Sequence, residues 1–206
     1  MRVVVACECS GVVRDAFAEL GHDAWSCDLN PCERGGRKHI QGDAIELLCG
    51  EQWDLAVCHP PCTYLANSGV RWLVIDGVIQ PERWKLMVYG CEFFLKCWNA
   101  PIDKLVCENP TMHGHAKKII GMEPSQSFQP WQHGHGECKR TCLWMRNLPR
   151  LRPSKIVEGR QQRVHMMPPG PERQRERSRT LEGVAKAFAT QWGTWKRTLF
   201  AVTETI

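Results

Sequence analysis

The sequence predicts an α/β fold with a mostly parallel sheet. Three observations point there: short β-branched or apolar runs without helical period, helical stretches between them, and small or acidic residues where the runs end. Residues 2–6 (RVVVA) form the first such run, apolar enough for a strand buried on both faces. Residues 7–11 (CECSG) make a small-residue loop, and residues 12–20 have helical spacing that Gly21 stops. Residues 23–28 (DAWSCD) give a second strand ending in an acid, and a third spans residues 38–41, just before Gly42-Asp43-Ala44. Residues 54–58 (DLAVC) are a buried strand that runs into His59-Pro60-Pro61-Cys62. An amphipathic helix is expected over residues 82–98, and a strand over 104–107 (KLVC) leads into Glu108-Asn109-Pro110. From about residue 125 the pattern loosens, broken by a strand at 141–145 (TCLWM) and a closing helix at 181–195. A parallel sheet carries its chemistry at the carboxyl ends of its strands, where the 7–11 loop, Asp28, the Pro-Pro-Cys turn and Glu108 all fall.

The 206 residues, 43% hydrophobic and 24% charged, suit one domain with its own core. Twelve cysteines suggest a disulfide framework at first, yet Cys58, Cys97 and Cys107 sit inside apolar runs, where a free thiol behaves as a small hydrophobe. No stretch reaches the length of a membrane span, and the start lacks the pattern of a secretory signal. The expectation is a cytoplasmic protein with reduced thiols. Net charge is +5, but residues 139–179 hold 12 Lys/Arg against 3 Asp/Glu while the rest holds 15 against 19. One basic segment on a neutral-to-acidic body suits a phosphate-binding surface; the plainer reading is a solvated charge run.

A strand followed by Pro-Pro-Cys fixes a thiol in a stiff turn, because proline sets the backbone dihedral and removes donors. Such a turn alone is more often structural than catalytic. Its context adds weight: VVVACECSGVVRDAF, AWSCDLNPCE, QGDA, DLAVCHPPCTYLANSG and VCENP occur in this order. Together they resemble the cytosine-5 DNA methyltransferases, especially the short members found in bacteriophages and prophages. The resemblance runs from about residue 2 to residue 193 and is most specific at residues 60–62 and 108–110.

That resemblance implies a Rossmann-like S-adenosylmethionine-dependent methyltransferase fold. It implies cofactor contacts from Glu8, Cys9, Ser10 and Gly11, whose loop backbone approaches the methionine part. Asp28 matches the acid on the ribose hydroxyls, Asp43 the residue facing the adenine, and Pro60 belongs to the same set. For Asp28 and Asp43 the alternative is a turn or helix-cap acid. Cys62 matches the nucleophile that adds to carbon 6 of cytosine, turning carbon 5 into an enamine-like carbon able to attack the methyl sulfonium. Glu108 matches the general acid at N3, and Asn109 is expected to hold the loop. Residues 131–145 resemble the later motif that brings cations to the site, which nominates Arg140 as catalytic and Lys139 as substrate-binding. A second motif arginine is replaced, on this alignment by Cys142. Residues 179–183 resemble the final motif.

Other readings remain open in the sequence. His133, His135, Cys138 and Cys142 have ligand types suited to zinc, at a spacing uncommon for it, so no metal is assigned. Trp131 and Trp144 adjoin the basic segment, where a base could stack; Trp72, Trp84 and Trp98 read as mostly core. Residues 146–179 are short for a target-recognition region, which implies weak specificity or an accessory protein beside the DNA partner. Alternatives are a methyltransferase acting on RNA or a free nucleotide, and a non-catalytic nucleic-acid-binding protein of the same fold. If phage-encoded, the chain would work in the cytoplasm of a bacterial host.

Overall fold

The computed structural model describes residues 1–168 and 170–194. In chain order the elements are β1 (Arg2–Ala6), α1 (Val12–Glu19), β2 (Asp23–Asp28), β3 (His39–Gln41), α2 (Ala44–Gly50) and β4 (Leu55–Cys58). A 3-10 turn at Asn67–Trp72 and the hairpin strands β5 (Val74–Ile75) and β6 (Val78–Ile79) precede α3 (Pro81–Trp98). Then come β7 (Lys104–Pro110), α4 (Gly114–Ile120), β8 (Gln126–Phe128) and a second 3-10 turn at Pro130–Gln132. The chain continues through β9 (Thr141–Arg146), α5 (Arg163–Met166), α6 (Pro171–Ser178) and α7 (Glu182–Gly193).

Seven strands form one sheet in the order β3-β2-β1-β4-β7-β9-β8. The pairings from β3 to β7 are parallel, and those of β9 with β7 and β8 are antiparallel. The expected Rossmann-like α/β fold with a mostly parallel sheet is therefore the observed one. Alternation explains why RVVVA reads as continuous apolar: Val4 and Ala6 face a core shared with Leu48, Met87 and Phe94. Val3 and Val5 face the opposite core with Phe17, Phe188 and Trp192. Both faces are covered by helices, so every position of such a strand loses water. Edge-on packing of Phe94 on Trp144 (ring centroids 5.0 Å apart) and stacking of Phe188 on Trp192 (4.4 Å) anchor the two layers.

Several boundaries differ from expectation. β7 does not end at Cys107: Glu108, Asn109 and Pro110 pair with Leu143, Cys142 and Thr141 of β9, so the acid stands on a ladder rather than in a loose turn. The segment VIDGVI folds as the β5–β6 hairpin, with Asp76 and Gly77 at φ 49° and 79°, the left-handed conformations that a two-residue hairpin turn demands. Trp195, the last residue of the expected closing helix, lies outside the described residues; the helix itself ends at Gly193. Trp144 is buried in the core and donates its indole N–H to the Met122 carbonyl, which removes it as a base-stacking surface. Trp72, expected in the core, is half exposed.

All twelve cysteines are free thiols. Burial pushes Cys27 and Cys91 up to about 11. Cys58 and Cys97 lie higher still, chiefly through mutual hydrogen bonding with neighbouring thiols, and these core groups are protonated at neutral pH. Among the described residues no helix is long and apolar enough to cross a membrane.

Candidate active site

Strand register lines up the sequence-nominated residues along one edge of the sheet. Asp28 ends β2 opposite Gln41 of β3, Ala6 pairs with both Cys27 and Cys58, and Cys58 pairs with Cys107. The residues that follow, Asp43, the 7–11 loop, His59 to Cys62 and Glu108, therefore share the carboxyl edge. Crossing from β2 to β7 takes three strand spacings, or about 14 Å.

At the β1 end, Cys7 adopts a left-handed backbone (φ 59°) that turns the chain sharply into the loop. The Glu8 carboxylate accepts the backbone N–H groups of Val13 (2.7 Å) and Arg14 (3.2 Å) and the Ser10 hydroxyl (3.1 Å). It serves the start of α1, where orphan amides and the helix dipole favour an anion. Glu8, Ser10 and Gly11 are buried, whereas Cys9 is partly exposed. Gly11 takes φ 71°, and a Cβ there would stand 2.8 Å from the guanidinium of buried Arg14. Asp28 Oδ1 accepts the backbone and side-chain N–H groups of Asn30 at 2.9 and 2.8 Å. Asp43 caps α2, its Oδ1 accepting from Ile45 (2.6 Å) and Glu46 (3.3 Å). Both acids thus also do the local work weighed as the alternative for them.

The Pro-Pro-Cys turn is tied to the end of β7 twice. Asn109 Nδ2 donates to the Pro60 carbonyl at 2.8 Å, the loop-holding bond expected of it. His59 Nδ1 bonds Glu108 Oε2 at 2.9 Å, with the two side chains 10% and 16% exposed. Burial pushes the Glu108 carboxyl up, but the His59 bond and charge outweigh it and hold the group below the usual carboxylate range. Cys62 moves the other way: burial and the Glu108 charge push its thiol up, against the pull of Arg177 and Lys139. Cys62, Glu108, Lys139 and Arg177 therefore share one electrostatic neighbourhood.

Strand alternation decides which motif cation joins them. Glu108, Lys139 and Thr141 line one small cleft, closed by Thr180 and Leu181 at the start of α7. Arg140 is exposed and donates to Ser127 Oγ at 3.3 Å, while Cys142 is buried in the core with Trp144. On a strand of period two, 139 and 141 share the site face, and 140 and 142 the other. Lys139 Nζ donates to the Arg179 carbonyl at 3.0 Å, and burial pulls its pKa down while Glu108 and Cys62 push it up.

Two functional candidates were not singled out in the sequence. His59 is one, because its meeting with Glu108 depends on the β4–β7 register. The other is Arg177 of α6, whose guanidinium donates to Ser68 Oγ at 3.0 Å. The basic segment holding it is docked through ion pairs: Arg175 and Arg179 both grip Glu33, and Arg163 bridges Glu137 and Glu176. Burial pushes Glu33 up, yet Arg179 and Arg175 prevail and hold it below its ordinary 4.5. A depressed carboxylate stabilises the fold above its unfolded value, and that contribution is lost as pH falls through the folded value. The melting-temperature gap between wild type and Glu33→Gln should accordingly be full at pH 7 and shrink below about pH 4.5. A gap independent of pH would refute the ion pairing.

The residues weighed as zinc ligands serve separate contacts. His133 Nδ1 meets Ser154 Oγ at 3.0 Å, and His135 Nε2 accepts the Gly183 amide at 2.9 Å. Among the described residues no group of three or more His, Cys, Asp or Glu side chains is arranged to hold a metal ion.

No protein-family model and no curated protein matches this chain. Among solved structures it is similar to a protein described as a DNA modification methyltransferase encoded within prophage Cp of E. coli, with 13% identity, TM-score 0.49, and coverage of 82% of this chain and 55% of that one. It is similar to the Entamoeba histolytica methyltransferase EhMeth, with 14% identity, TM-score 0.49 and coverage of 76% and 57%. It is also similar to the S. pombe Dnmt2 methyltransferase, with 13% identity, TM-score 0.41 and coverage of 80% and 53%. The chain spans little more than half the length of each of these structures.

Proposed function

We propose that the chain transfers a methyl group from S-adenosylmethionine to carbon 5 of cytosine in DNA, with Cys62 as covalent nucleophile and Glu108 as acid at N3. The observation that carries this reading is the shared electrostatic neighbourhood of a thiol and a carboxyl at the ends of adjacent parallel strands, the turn of one tied to the other by Asn109. A pyrimidine ring needs the thiolate on one edge and a proton on another. The resting groups hold the opposite forms, a protonated thiol and a charged carboxylate. Moving one proton from Cys62 to Glu108 produces both reactive forms and removes the negative charge that pushed the thiol up. The thiolate then bonds carbon 6 as the ring electrons move toward N3, which takes the proton from Glu108. After transfer, loss of the carbon 5 proton to a base expels the thiolate.

Lys139 stands on the site face, and its cation stabilises both the thiolate and electron density accumulating on the ring; it takes the place first given to Arg140. The 7–11 loop and Asp28 fit the cofactor. The turn at Cys7 and the small residues after it open the end of β1, and Asp28 ends the adjacent strand with only one oxygen engaged by Asn30. S-adenosylmethionine would supply the electrophilic methyl group beside this edge. Asp43 fits less directly, since its carboxylate caps α2. Calorimetric titration should find Asp28→Ala binding the cofactor about tenfold more weakly, the loss of a hydrogen-bonded acid. Asp43→Asn, which still caps α2, should bind within about threefold of wild type. Equal affinity for Asp28→Ala and wild type would remove Asp28 from the cofactor site.

The segment 146–179 stands where a larger recognition region would, and we assign it a short, weakly sequence-selective contact with DNA. Labelled S-adenosylmethionine incubated with duplex DNA, single-stranded DNA, RNA and free nucleotides, followed by nucleoside analysis, tests the whole reading. 5-Methylcytosine in DNA supports it; label confined to RNA or nucleotides transfers the same chemistry to another substrate. No labelled cytosine on any of them refutes it.

A further inference from the structure

Two buried polar atoms beside the site, His59 Nε2 and Asn109 Oδ1, have no hydrogen-bond partner among the described residues. Both side chains use their other polar atom to tie the β4 exit to the β7 end. Asn109 already has a role in holding the turn. His59 has none in the reaction as written, yet it makes the direct bond to the proposed acid.

The placement follows from the strands. His59 N–H donates to the Ala6 carbonyl at 2.9 Å, which extends the β4–β1 ladder one step and fixes where the side chain departs. Cys58 pairs with Cys107, so the next residues, His59 and Glu108, leave neighbouring strands side by side. The ring is locked between them, and its Nδ1 reaches Oε2 at 2.9 Å. A glutamate turns freely about its last bond, and its two oxygens are otherwise equivalent. A donor fixed on Oε2 breaks that equivalence.

We infer that His59 is the positioning residue for Glu108: it holds Oε2 and leaves Oε1 as the oxygen presented to the pyrimidine N3. This deepens the proposed reaction and rests on it. When the Oε1 proton passes to N3, the carboxylate that remains is already hydrogen-bonded by Nδ1–H, so the transfer ends on a stabilised anion. The proton balance is unchanged, since His59 keeps its own hydrogen throughout. The other charged or titratable groups in reach are Lys139 ahead of β9, Cys62 in the turn and Arg177 on α6. Lys139 and Arg177 reinforce the charged form of Glu108, but neither shows a hydrogen bond to Oε2. The imidazole, a conjugate pair with the carboxyl, also ties the ionisation of the acid to that of its neighbour.

The test needs one readout without catalysis and one with it. Carbon-13 NMR of the Glu108 carboxyl carbon, identified by its loss in Glu108→Gln, should titrate at higher pH in His59→Ala than in wild type, because burial then acts without its compensating donor. His59→Asn, whose amide nitrogen falls near the place of Nδ1, should return most of that displacement. In methyl-transfer assays His59→Ala should lose about 30-fold in kcat, with its pH profile displaced in the same direction and little change in KM for the cofactor. His59→Asn should recover most of the rate. A Glu108 titration identical in wild type and both variants overturns the inference, as does a His59→Ala enzyme with unaltered kcat. If wild type methylates nothing, the reaction fails by itself, while the NMR result still upholds or refutes the pairing. Should His59→Ala not fold, His59→Asn and the wild-type titration carry the same comparison.

Discussion

Replacing Cys62 with serine should lower methyl transfer by at least about 1,000-fold while leaving cofactor affinity within about twofold. A hydroxyl is far harder to ionise than a thiol, and it adds poorly to an electron-poor ring carbon. Removing the sulfur also strips the site of its only partner for the Cys62-to-Glu108 proton exchange. The turn itself should survive, because its rigidity comes from Pro60, Pro61 and the Asn109 bond rather than from the thiol. Incorporation of labelled methyl groups at saturating cofactor, with calorimetry of cofactor binding on the same preparation, separates the two effects. A serine enzyme retaining a tenth of the wild-type rate would remove Cys62 as nucleophile.

The largest expected loss of stability comes from a residue without chemistry. At Gly183 an added Cβ would stand 1.9 Å from the His133 carbonyl oxygen and 3.0 Å from His135 Nε2, the atom that accepts the Gly183 amide. The obstruction is backbone, so no rotamer change relieves it and α7 must back away from the 133–135 loop. Gly183→Ala should cost about 3 kcal/mol or more in chemical denaturation. Gly50→Ala, at the end of α2 with open space around its Cβ position, should stay within about 0.5 kcal/mol of wild type. Equal midpoints for Gly183→Ala and wild type would show that α7 is not seated on this loop. Because Leu181 and Val184 close the cleft beside Glu108, the same change should weaken the site as well.

What could be read in advance divides along physical lines. β1 and β2 matched their sequence-derived limits because burial on both faces writes itself as an unbroken apolar or small-residue run. The site residues at strand ends followed from the same logic. Three features depended on relations between strands and were hidden. β7 runs on through Glu108 because β9 lies antiparallel beside it, which no local pattern announces. Lys139 rather than Arg140 faces the cleft because strand parity, not residue type, chooses the face. His59 and Glu108 meet only through the β4–β7 register, although each follows a short buried strand ending in cysteine (LAVC and KLVC), a symmetry visible in hindsight. The VIDGVI hairpin was legible but passed over: Asp-Gly between two β-branched pairs is a strong turn signal.

Glu33 changes how the basic stretch should be imagined when a polyanion arrives. Positive charges that look idle in one dimension are already committed to carboxylates of the body, and Arg175 and Arg179 converge on a single one. An incoming phosphate therefore competes with an internal rival for the same guanidinium groups. Each contact it gains sets a glutamate loose, so engaging the strand and unfastening α6 become two faces of one exchange.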